Sequence, residues 1–522
     1  MKKNNKIGLI ILLIALGLYF ATHLPQLTNL PVFADEAIYL RWAQLIIDDW
    51  QRYLFFPMND GKTPLFIWWL VPFVKLLPDP LWAGRLASVI VGAAQLIIIK
   101  KILEKFEVSL VGQVVGLVLT TVLPFWYFHH RMALMDGMLT LFISWSWLFL
   151  LKVRQIKDQS LLSKPILVSL AGSGIMFGLA LLTKVPAILF LPAIFLQLLF
   201  IKNRSNKKCD QKNRLKKTVF WFSLVSGIGL SIFASLKLHP AFGQLFNRGG
   251  DFLFSSSELI SGSWRDALIN WPNYFNYFQT YLTWPVLTLA IAGLIFGKKR
   301  KEVLLTNLSG LLLILPMIAM GKVVYARYLL PIAPFITTAA VIGWDELRDH
   351  LKNKLNQKKS TLAFCLFLLV PSIILSSRFI DRSWSNVSQL NLVPSDKVQY
   401  LTEWSAGFGI KPTVKLIERL AKHQPVLIAT EGYFGTLPDG LLMYFHNKNV
   451  NNIFITGIGQ PIHEIPVEIK QRANYHQRVL LVVNSHRLVL NLGDSPKLLE
   501  VCRPNQAPCH QVWDITAFVK NR

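Results

Sequence analysis

Residues 1–23 read MKKNNKIGLIILLIALGLYFATH, with three lysines ahead of an uncharged apolar run. A helix that crosses a membrane needs about 20 mostly apolar residues. The run is too long for the apolar part of a secretory signal peptide, and it lacks the small-residue cleavage site of one. The stretch therefore predicts an uncleaved first transmembrane helix.

Further apolar runs of this kind follow along the 522-residue chain. Hydrophobic residues make up 52% of the sequence and charged residues only 16%, well below the share of charge in a typical soluble domain. The predicted fold class is therefore an α-helical polytopic membrane protein with a small C-terminal α/β domain. The eleven predicted spans are 7–23, 83–101, 109–127, 133–151, 165–182, 185–201, 218–236, 281–297, 303–320, 328–344 and 361–377.

The positive charges orient these spans. Lys and Arg outnumber Asp and Glu by 55 to 29, and the net charge is +26. With the N-terminus in the cytoplasm, 27 Lys and Arg fall in inside loops and 12 in the outside loops of residues 1–377, as the positive-inside rule requires. The apolar content excludes a disordered chain and argues against nucleic acid as a partner. We expect a multi-pass plasma-membrane protein with the lipid bilayer as its surroundings.

An odd number of spans leaves the C-terminal region outside the cell. Two domains are predicted: a membrane domain, residues 1–377, and an extracytoplasmic α/β domain, residues 378–522, with strand-like runs at 426–429, 452–455 and 478–483. Cys502 and Cys509 in the second domain are expected to form a disulfide, the alternative being two unpaired thiols. Cys209 and Cys365 are expected to be reduced.

The first outer loop, residues 24–82, contains amphipathic segments that predict helices lying in the membrane interface. Asp35 and Glu36 stand at the head of the first such helix. A carboxylate there has an ordinary role as a helix cap, because a helix N-terminus stabilises negative charge. Lys62 follows later in the same loop.

More polar residues occur at the outer ends of the spans. They are Arg131, Asp136, Lys184, Arg327 and Tyr328. Each has a structural interpretation, as a snorkelling lysine, an intramembrane ion pair or an interface anchor. All of them nevertheless fall on the outer side by a topology that was assigned without them. Together with Asp35 and Lys62 they indicate a site for a lipid-linked phosphate and a hydroxyl acceptor.

The fourth outer loop, residues 237–280, adds Arg248 and several aromatic residues. A loop of this length over a membrane site serves as a lid or as a platform for a sugar, the alternative being an ordinary surface loop. No spacing of His, Cys and carboxylates indicates a metal site, so no cofactor is predicted, although a divalent metal stays open. His129 and His130 are interpreted as interface residues.

These motifs, taken in order, resemble a family. Asp35-Glu36, Lys62-x-Pro64-Leu65-x-x-Trp68, Arg131-x-x-Leu134-x-Asp136, Leu182-Thr183-Lys184 and Arg327-Tyr328-Leu329-x-Pro331 are similar to the integral-membrane GT-C glycosyltransferases. More narrowly they resemble the protein O-mannosyltransferase-like superfamily (glycosyltransferase family 39), which includes the bacterial transferase that puts aminoarabinose on lipid A. The resemblance covers about residues 7–345.

The resemblance implies a polyprenyl-phosphate-linked sugar donor and transfer to an unknown acceptor (protein, lipid or glycan) on the outer face. It implies that Asp35 is the catalytic base with Glu36 as its neighbour, that Lys62 lies close to the lipid phosphate, and that Asp136 is a second acid in the cavity. Arg327 and Tyr328 correspond to an Arg-Tyr pair beside the site. Elementary chemistry agrees, since transfer needs a base and cations for the charge on the leaving phosphate.

The cations available for that phosphate, besides Lys62, are Arg131, Lys184, Arg248 and Arg327. The chain departs from the family where Thr63 replaces the first proline of a Lys-Pro-Pro pattern, and its fourth outer loop has no room for the large domain of eukaryotic mannosyltransferases. Two other functions stay open: a transporter or flippase of lipid-linked saccharides, and a non-catalytic scaffold with an outer binding domain. A transporter would place its charges near the midplane of the membrane and would show internal repeats.

Overall fold

A computed structural model describes residues 2–57, 61–156, 161–201, 211–269, 271–355, 358–446 and 452–520. Cys209 lies outside these residues. The protein is mainly helical, because its long apolar runs satisfy their backbone hydrogen bonds within each helix. The longer helices are Lys2–His23, Ala34–Asp48, Leu65–Leu76, Pro80–Lys105, Leu110–Val122, Met135–Gln155, Lys164–Thr183, Leu191–Leu199, Gln211–Ala234, Trp271–Leu282, Trp284–Phe296, Arg300–Met320, Ala333–Leu355, Lys358–Phe367, Val370–Ser385 and Ile410–Ala421.

Within the described residues, seven helices are long and apolar enough to cross a membrane, and three more spans arise if each bent helix pair counts as one. The bent pairs meet at 53°, 100° and 44°, and they correspond to the predicted spans 109–127, 281–297 and 361–377. The predicted span 185–201 appears as the shorter apolar segment Val185–Leu199. The prediction of a polytopic α-helical membrane protein is confirmed.

Contacts divide the chain into two compact units. The first unit comprises Met1–Pro25, Phe55–Phe66 and Ser88–Trp384, and the second comprises Gln26–Leu54, Ile67–Ala87 and Ser385–Arg522. The division near residue 385 is close to the boundary expected from the sequence. Most of the first outer loop, residues 26–54 and 67–82, belongs to the same compact unit as the C-terminal region.

In the first unit, small residues let the spans approach closely. The helix Lys164–Thr183 packs against both Met135–Gln155 and Gln211–Ala234. A methyl group added at Gly174 or Gly178 would lie 2.8 Å from the Cβ of Ile228 or Ile232, respectively. Close backbone packing of this kind is the main source of helix association in a membrane, where apolar burial drives little.

The second unit contains a five-stranded sheet in the order β2-β1-β3-β5-β4, which confirms the predicted small α/β domain. The strands are β1 (Val426–Thr430), β2 (Ile453–Gly457), β3 (Arg478–Asn484), β4 (Lys497–Arg503) and β5 (Ala507–Asp514). The strand β1 is parallel to β2 and β3, whereas β5 is antiparallel to β3 and β4. Cys502 and Cys509 face each other on β4 and β5 and form the predicted disulfide.

Backbone hydrogen bonds join the first loop to the C-terminal region within the second unit. The Ala34 N–H donates to the Ser405 carbonyl at 3.0 Å, and the Gly407 N–H donates to the Val32 carbonyl at 2.8 Å. Between them, Phe33 forms an isolated antiparallel bridge with Ala406. These bonds pair backbone groups just before the helix Ala34–Asp48, which carries Asp35 and Glu36 in its first turn.

Candidate functional site

Asp136 and Lys184 form an ion pair in the first unit. Asp136 lies in the first turn of the helix Met135–Gln155, where the helix dipole favours a carboxylate. Lys184 directly follows the adjacent helix Lys164–Thr183. Its Nζ donates to the Asp136 Oδ1 at 2.7 Å, and the Asp136 side chain is only 4% exposed. The pair satisfies a carboxylate whose burial alone would be costly.

Two further sequence-predicted residues join this pair. The Lys184 Nζ lies 4.4 Å from the centre of the Tyr328 ring. The Arg327 guanidinium lies 5.5 Å from the same ring and 5.4 Å from that of Tyr325. Arg327 and Lys62 both act electrostatically on the Lys184 ammonium. The structure therefore brings Lys62, Asp136, Lys184, Arg327 and Tyr328 into one group, which we call the cation cluster.

The cation cluster carries three cations and one carboxylate. Its net charge is positive, and Asp136 already holds Lys184 in place. Fixed cations in a site shielded from water bind a phosphate and stabilise the charge that grows on it when it leaves. Lys62 and Lys184 are both half-buried.

Arg131 is held by the protein around it. One of its amino groups donates to the Tyr127 hydroxyl, and the other donates to the Pro25 carbonyl at 2.9 Å. Tyr127 in turn hydrogen-bonds to Ser383. Arg131 is buried and ties the end of the first span to the helix Pro124–His130. This arrangement favours the structural interpretation of Arg131 over a phosphate contact.

Arg248 pairs with Asp251 at 2.7 Å in a short helix, Gly249–Phe252, of the fourth loop. Its side chain is exposed. The loop itself folds into further short helices, among them Pro240–Phe246 and Trp264–Ile269.

Glu36 forms an ion pair with Arg85, a residue that was not among the predicted site residues. Arg85 donates its Nε to the Glu36 Oε1 at 2.8 Å and its Nη2 to the Oε2 at 2.7 Å, and both side chains are almost fully buried. The Phe33 N–H donates to the Glu36 Oε2 at 3.0 Å, so the Glu36 side chain satisfies a backbone donor at the start of the helix. Arg85 also donates to three carbonyls just before the helix, those of Leu27, Leu30 and Pro31.

This network fixes the head of the helix that carries Asp35. All its members belong to the second unit. Asp35 is half-buried, beside a neighbour whose carboxylate is fully used. A signal for Arg85 was present in the sequence, because it is a lone cation near the start of a predicted apolar span.

Among the residues that the structure describes, no group of three or more His, Cys, Asp or Glu is arranged to hold a metal ion. Two of the predicted carboxylates are instead paired with basic side chains, Asp136 with Lys184 and Glu36 with Arg85.

Comparison with solved structures decides the fold. The chain is similar to ArnT from Cupriavidus metallidurans bound to undecaprenyl phosphate, with a TM-score of 0.59 over 98% of both chains and 13% sequence identity. The chain has the GT-C fold. Archaeal oligosaccharyltransferase AglB from Archaeoglobus fulgidus, in complex with an inhibitory peptide and a dolichol-phosphate, shares this fold, with a TM-score of 0.53 and 11% identity over 92% of this chain and 70% of that one.

A family model described as dolichyl-phosphate-mannose-protein mannosyltransferase matches residues 61–235. This range contains Lys62, Asp136 and Lys184 of the cation cluster. No curated protein matches the chain by sequence. The predicted resemblance to the GT-C glycosyltransferases, including its relation to ArnT, is confirmed.

Proposed function

We propose that the protein is a membrane glycosyltransferase that moves a sugar from a polyprenyl-phosphate-linked donor to an acceptor hydroxyl. The observation that carries the proposal is the cation cluster on a GT-C fold, because it combines fixed cations with a carboxylate that positions one of them. The ArnT structure holds undecaprenyl phosphate and the AglB structure holds a dolichol-phosphate, which supports a lipid-linked phosphate as the ligand. The excess of Lys and Arg in alternate loops supports transfer on the extracytoplasmic face.

In the proposed reaction Asp35 accepts the proton of the acceptor hydroxyl. The hydroxyl oxygen forms a bond to the anomeric carbon of the sugar while the bond from that carbon to the phosphate oxygen breaks. The electron pair stays on the polyprenyl phosphate, which leaves with its additional negative charge. Lys62, Lys184 and Arg327 stabilise this charge, so a protonating acid is not required.

Two of the predicted catalytic residues act by positioning. Asp136 orients Lys184 through their ion pair at 2.7 Å. Glu36 holds the head of the Asp35 helix through Arg85 and the Phe33 N–H. Tyr328 places its ring against Lys184 and limits where the ammonium can move. Arg248 remains a candidate contact to the donor from the fourth loop.

The test is an Asp35→Asn variant assayed in membranes with a panel of labelled polyprenyl-phosphate sugars. A general base contributes about 10²–10⁴-fold to rate, so we expect a loss of that size at unchanged protein level. Asp48→Asn is a matched control, because Asp48 lies at the other end of the same helix and its side chain is 49% exposed.

Full activity of Asp35→Asn would refute the assignment of the base. Movement of intact lipid-linked sugar across sealed vesicles, with no transfer from any donor in the panel, would identify a transporter and refute the proposed function.

A further inference from the structure

The carboxyl ends of three parallel strands meet at one edge of the sheet in the second unit. Glu431 and Gly432 follow β1, Ile458 and Gly459 follow β2, and Ser485 follows β3. In α/β sheets, ligands bind in the crevice outside this edge, where the connections run to opposite sides. The strand β1 is central to the three, with β2 on one side and β3 on the other.

An exposed aromatic side chain lies at this edge, on a loop that a backbone hydrogen bond holds. The Gly432 N–H donates to the Gly459 carbonyl at 2.8 Å and locks the loop after β1 onto the loop after β2. The Tyr433 ring then lies against Gly459, where an added methyl group would come within 3.1–3.5 Å of the ring and its hydroxyl. Tyr433 is still 71% exposed. The hydroxyl end of the ring therefore lies close to Gly459, and most of the side chain is open to a ligand.

A fixed polar group lies at the end of the neighbouring strand. Arg487 places its guanidinium 4.5 Å from the centre of the Trp404 ring, and its Nη1 lies 3.3 Å from the Glu431 Oε1. Glu431 is buried and also accepts from the Asn484 N–H at 2.8 Å. Burial raises the pKa of Glu431, and the hydrogen bonds from Asn484 and the charge of Arg487 act against that rise. Arg487 and Trp404 are thereby held in one orientation.

The same edge borders the helix head that carries Asp35. A methyl group added at Gly435, in the loop after β1, would lie 3.1 Å from the Trp404 ring and 3.7 Å from the Ala34 Cβ. Ala34 directly precedes Asp35. The Gly435 N–H donates to the Asp439 Oδ2 at 2.7 Å, and the Thr436 hydroxyl donates to the Trp404 carbonyl at 2.8 Å. Both bonds fix the loop at this position.

We infer that the edge formed by Trp404, Tyr433 and Arg487 binds a saccharide ring of the acceptor and presents its hydroxyl to Asp35. The inference rests on the proposed function and adds the acceptor class to it. A sugar ring has C–H faces that pack on an aromatic ring and hydroxyl groups that need directed partners. The exposed Tyr433 ring after β1 and the Arg487 guanidinium after β3 supply these two kinds of contact at the same edge of the sheet. Ligand sites combine apolar surface with a few placed polar groups in this way.

A lipid surface fits the same edge less well. An aromatic side chain can anchor a loop in the membrane interface when the residues around it can also be placed among the lipid headgroups. Insertion of Tyr433 would carry the Glu431–Arg487 pair toward hydrocarbon, where charged groups are costly. Phe434, which is 51% exposed, is the residue that such an anchor would use next.

The test uses the full chain in nanodiscs of phosphatidylcholine and phosphatidylglycerol, without sugar detergents. Binding is measured on an array of soluble oligosaccharides and to phosphatidylcholine vesicles with and without digalactosyldiacylglycerol. The variants are Tyr433→Ala, Tyr433→Phe and the matched control Tyr475→Ala, since Tyr475 is 85% exposed elsewhere in the same unit. We expect at least tenfold weaker saccharide binding for Tyr433→Ala, and binding within twofold of wild type for the other two. Binding only to the glycolipid vesicles would show that the acceptor saccharide is anchored to a lipid. Binding to the array would show that the acceptor saccharide is soluble.

Binding of array saccharides or glycolipid that is equal in wild type and Tyr433→Ala would overturn the inference, as would no saccharide binding by the wild type. If Tyr433→Ala lost binding to plain phosphatidylcholine vesicles while its saccharide binding stayed at the wild-type level, Tyr433 would be a membrane anchor and the inference would be overturned. Repeating the array with Asp35→Asn separates the two proposals, because binding does not need the base. Full activity of Asp35→Asn with saccharide binding that depends on Tyr433 would refute the base and keep the acceptor edge.

Discussion

Replacing Arg85 with Met should destabilise the second unit strongly. Arg85 and Glu36 are 1% and 0% exposed, and Arg85 makes two hydrogen bonds to the carboxylate and three to backbone carbonyls. Methionine keeps much of the volume but leaves the carboxylate buried without its cation. Breaking a buried ion pair in this way costs about 3–5 kcal/mol. At about 2–4 °C per kcal/mol, the unfolding midpoint should fall by roughly 6–20 °C.

The assay is thermal unfolding of the purified protein, followed by tryptophan fluorescence, with transfer measured well below the midpoint. The double variant Glu36→Gln/Arg85→Met should be less destabilised than Arg85→Met, since the stranded charge is gone. Arg52→Met is the control, because Arg52 is exposed in the same loop and should change stability by about 0.5 kcal/mol or less. An Arg85→Met midpoint within 2 °C of wild type, or a double variant less stable than the single one, would refute this account of the helix head.

Three further outcomes are expected. Asp136→Asn should lower sugar transfer at least tenfold at normal protein level, because Lys184 loses the carboxylate that orients it. The exposed control Asp349→Asn should leave the rate unchanged. Equal transfer rates for Asp136→Asn and wild type would count against the role of the cation cluster. Burial raises the pKa of Asp439 from 3.8 to about 6, so the folded state binds this proton more tightly than the unfolded state does. The free energy of unfolding should therefore fall as the pH rises from 4 to 7, by up to about 3 kcal/mol. Asp439→Asn should flatten that part of the stability profile, and an unchanged slope would contradict the assignment. Reduction of the Cys502–Cys509 disulfide should lower the free energy of unfolding by about 2–3 kcal/mol, given the short loop that it closes; a Cys502→Ser/Cys509→Ser variant should show no response to reductant.

The membrane helices could be predicted because their signal is local. A run of apolar residues specifies a span by itself, and each of the eleven predicted runs corresponds to a helix, a bent pair or a shorter apolar segment. The disulfide could also be predicted from the sequence, since Cys502 and Cys509 are close to each other along the chain. The group around Asp136 and Lys184 could be predicted because a charged side chain in or next to a membrane span is costly and usually has a charged partner or a function.

The features that were missed depend on contacts between distant segments. Arg85 is a lone cation near the start of a predicted span, but only the fold shows that its guanidinium pairs with Glu36. The first outer loop is next to the membrane spans in sequence. Its backbone hydrogen bonds to Ser405 and Gly407 could not be deduced from periodicity. The role of Tyr433 also depends on Gly459, a glycine with no distinguishing neighbours in the sequence.

The hydrogen bond from Ala34 to Ser405 also sets an order of events during synthesis. At about 5–20 residues per second, the ribosome needs roughly 20–75 seconds after Ala34 to reach Ser405. Arg85 follows within about 3–10 seconds at the same rate. Arg85 is therefore the first of these partners that is available to the nascent helix head. Its pair with Glu36 holds the start of the helix in place until the last quarter of the chain has been synthesised. A defect at Arg85 would accordingly lower the yield of mature protein in addition to the stability of the molecules that do mature.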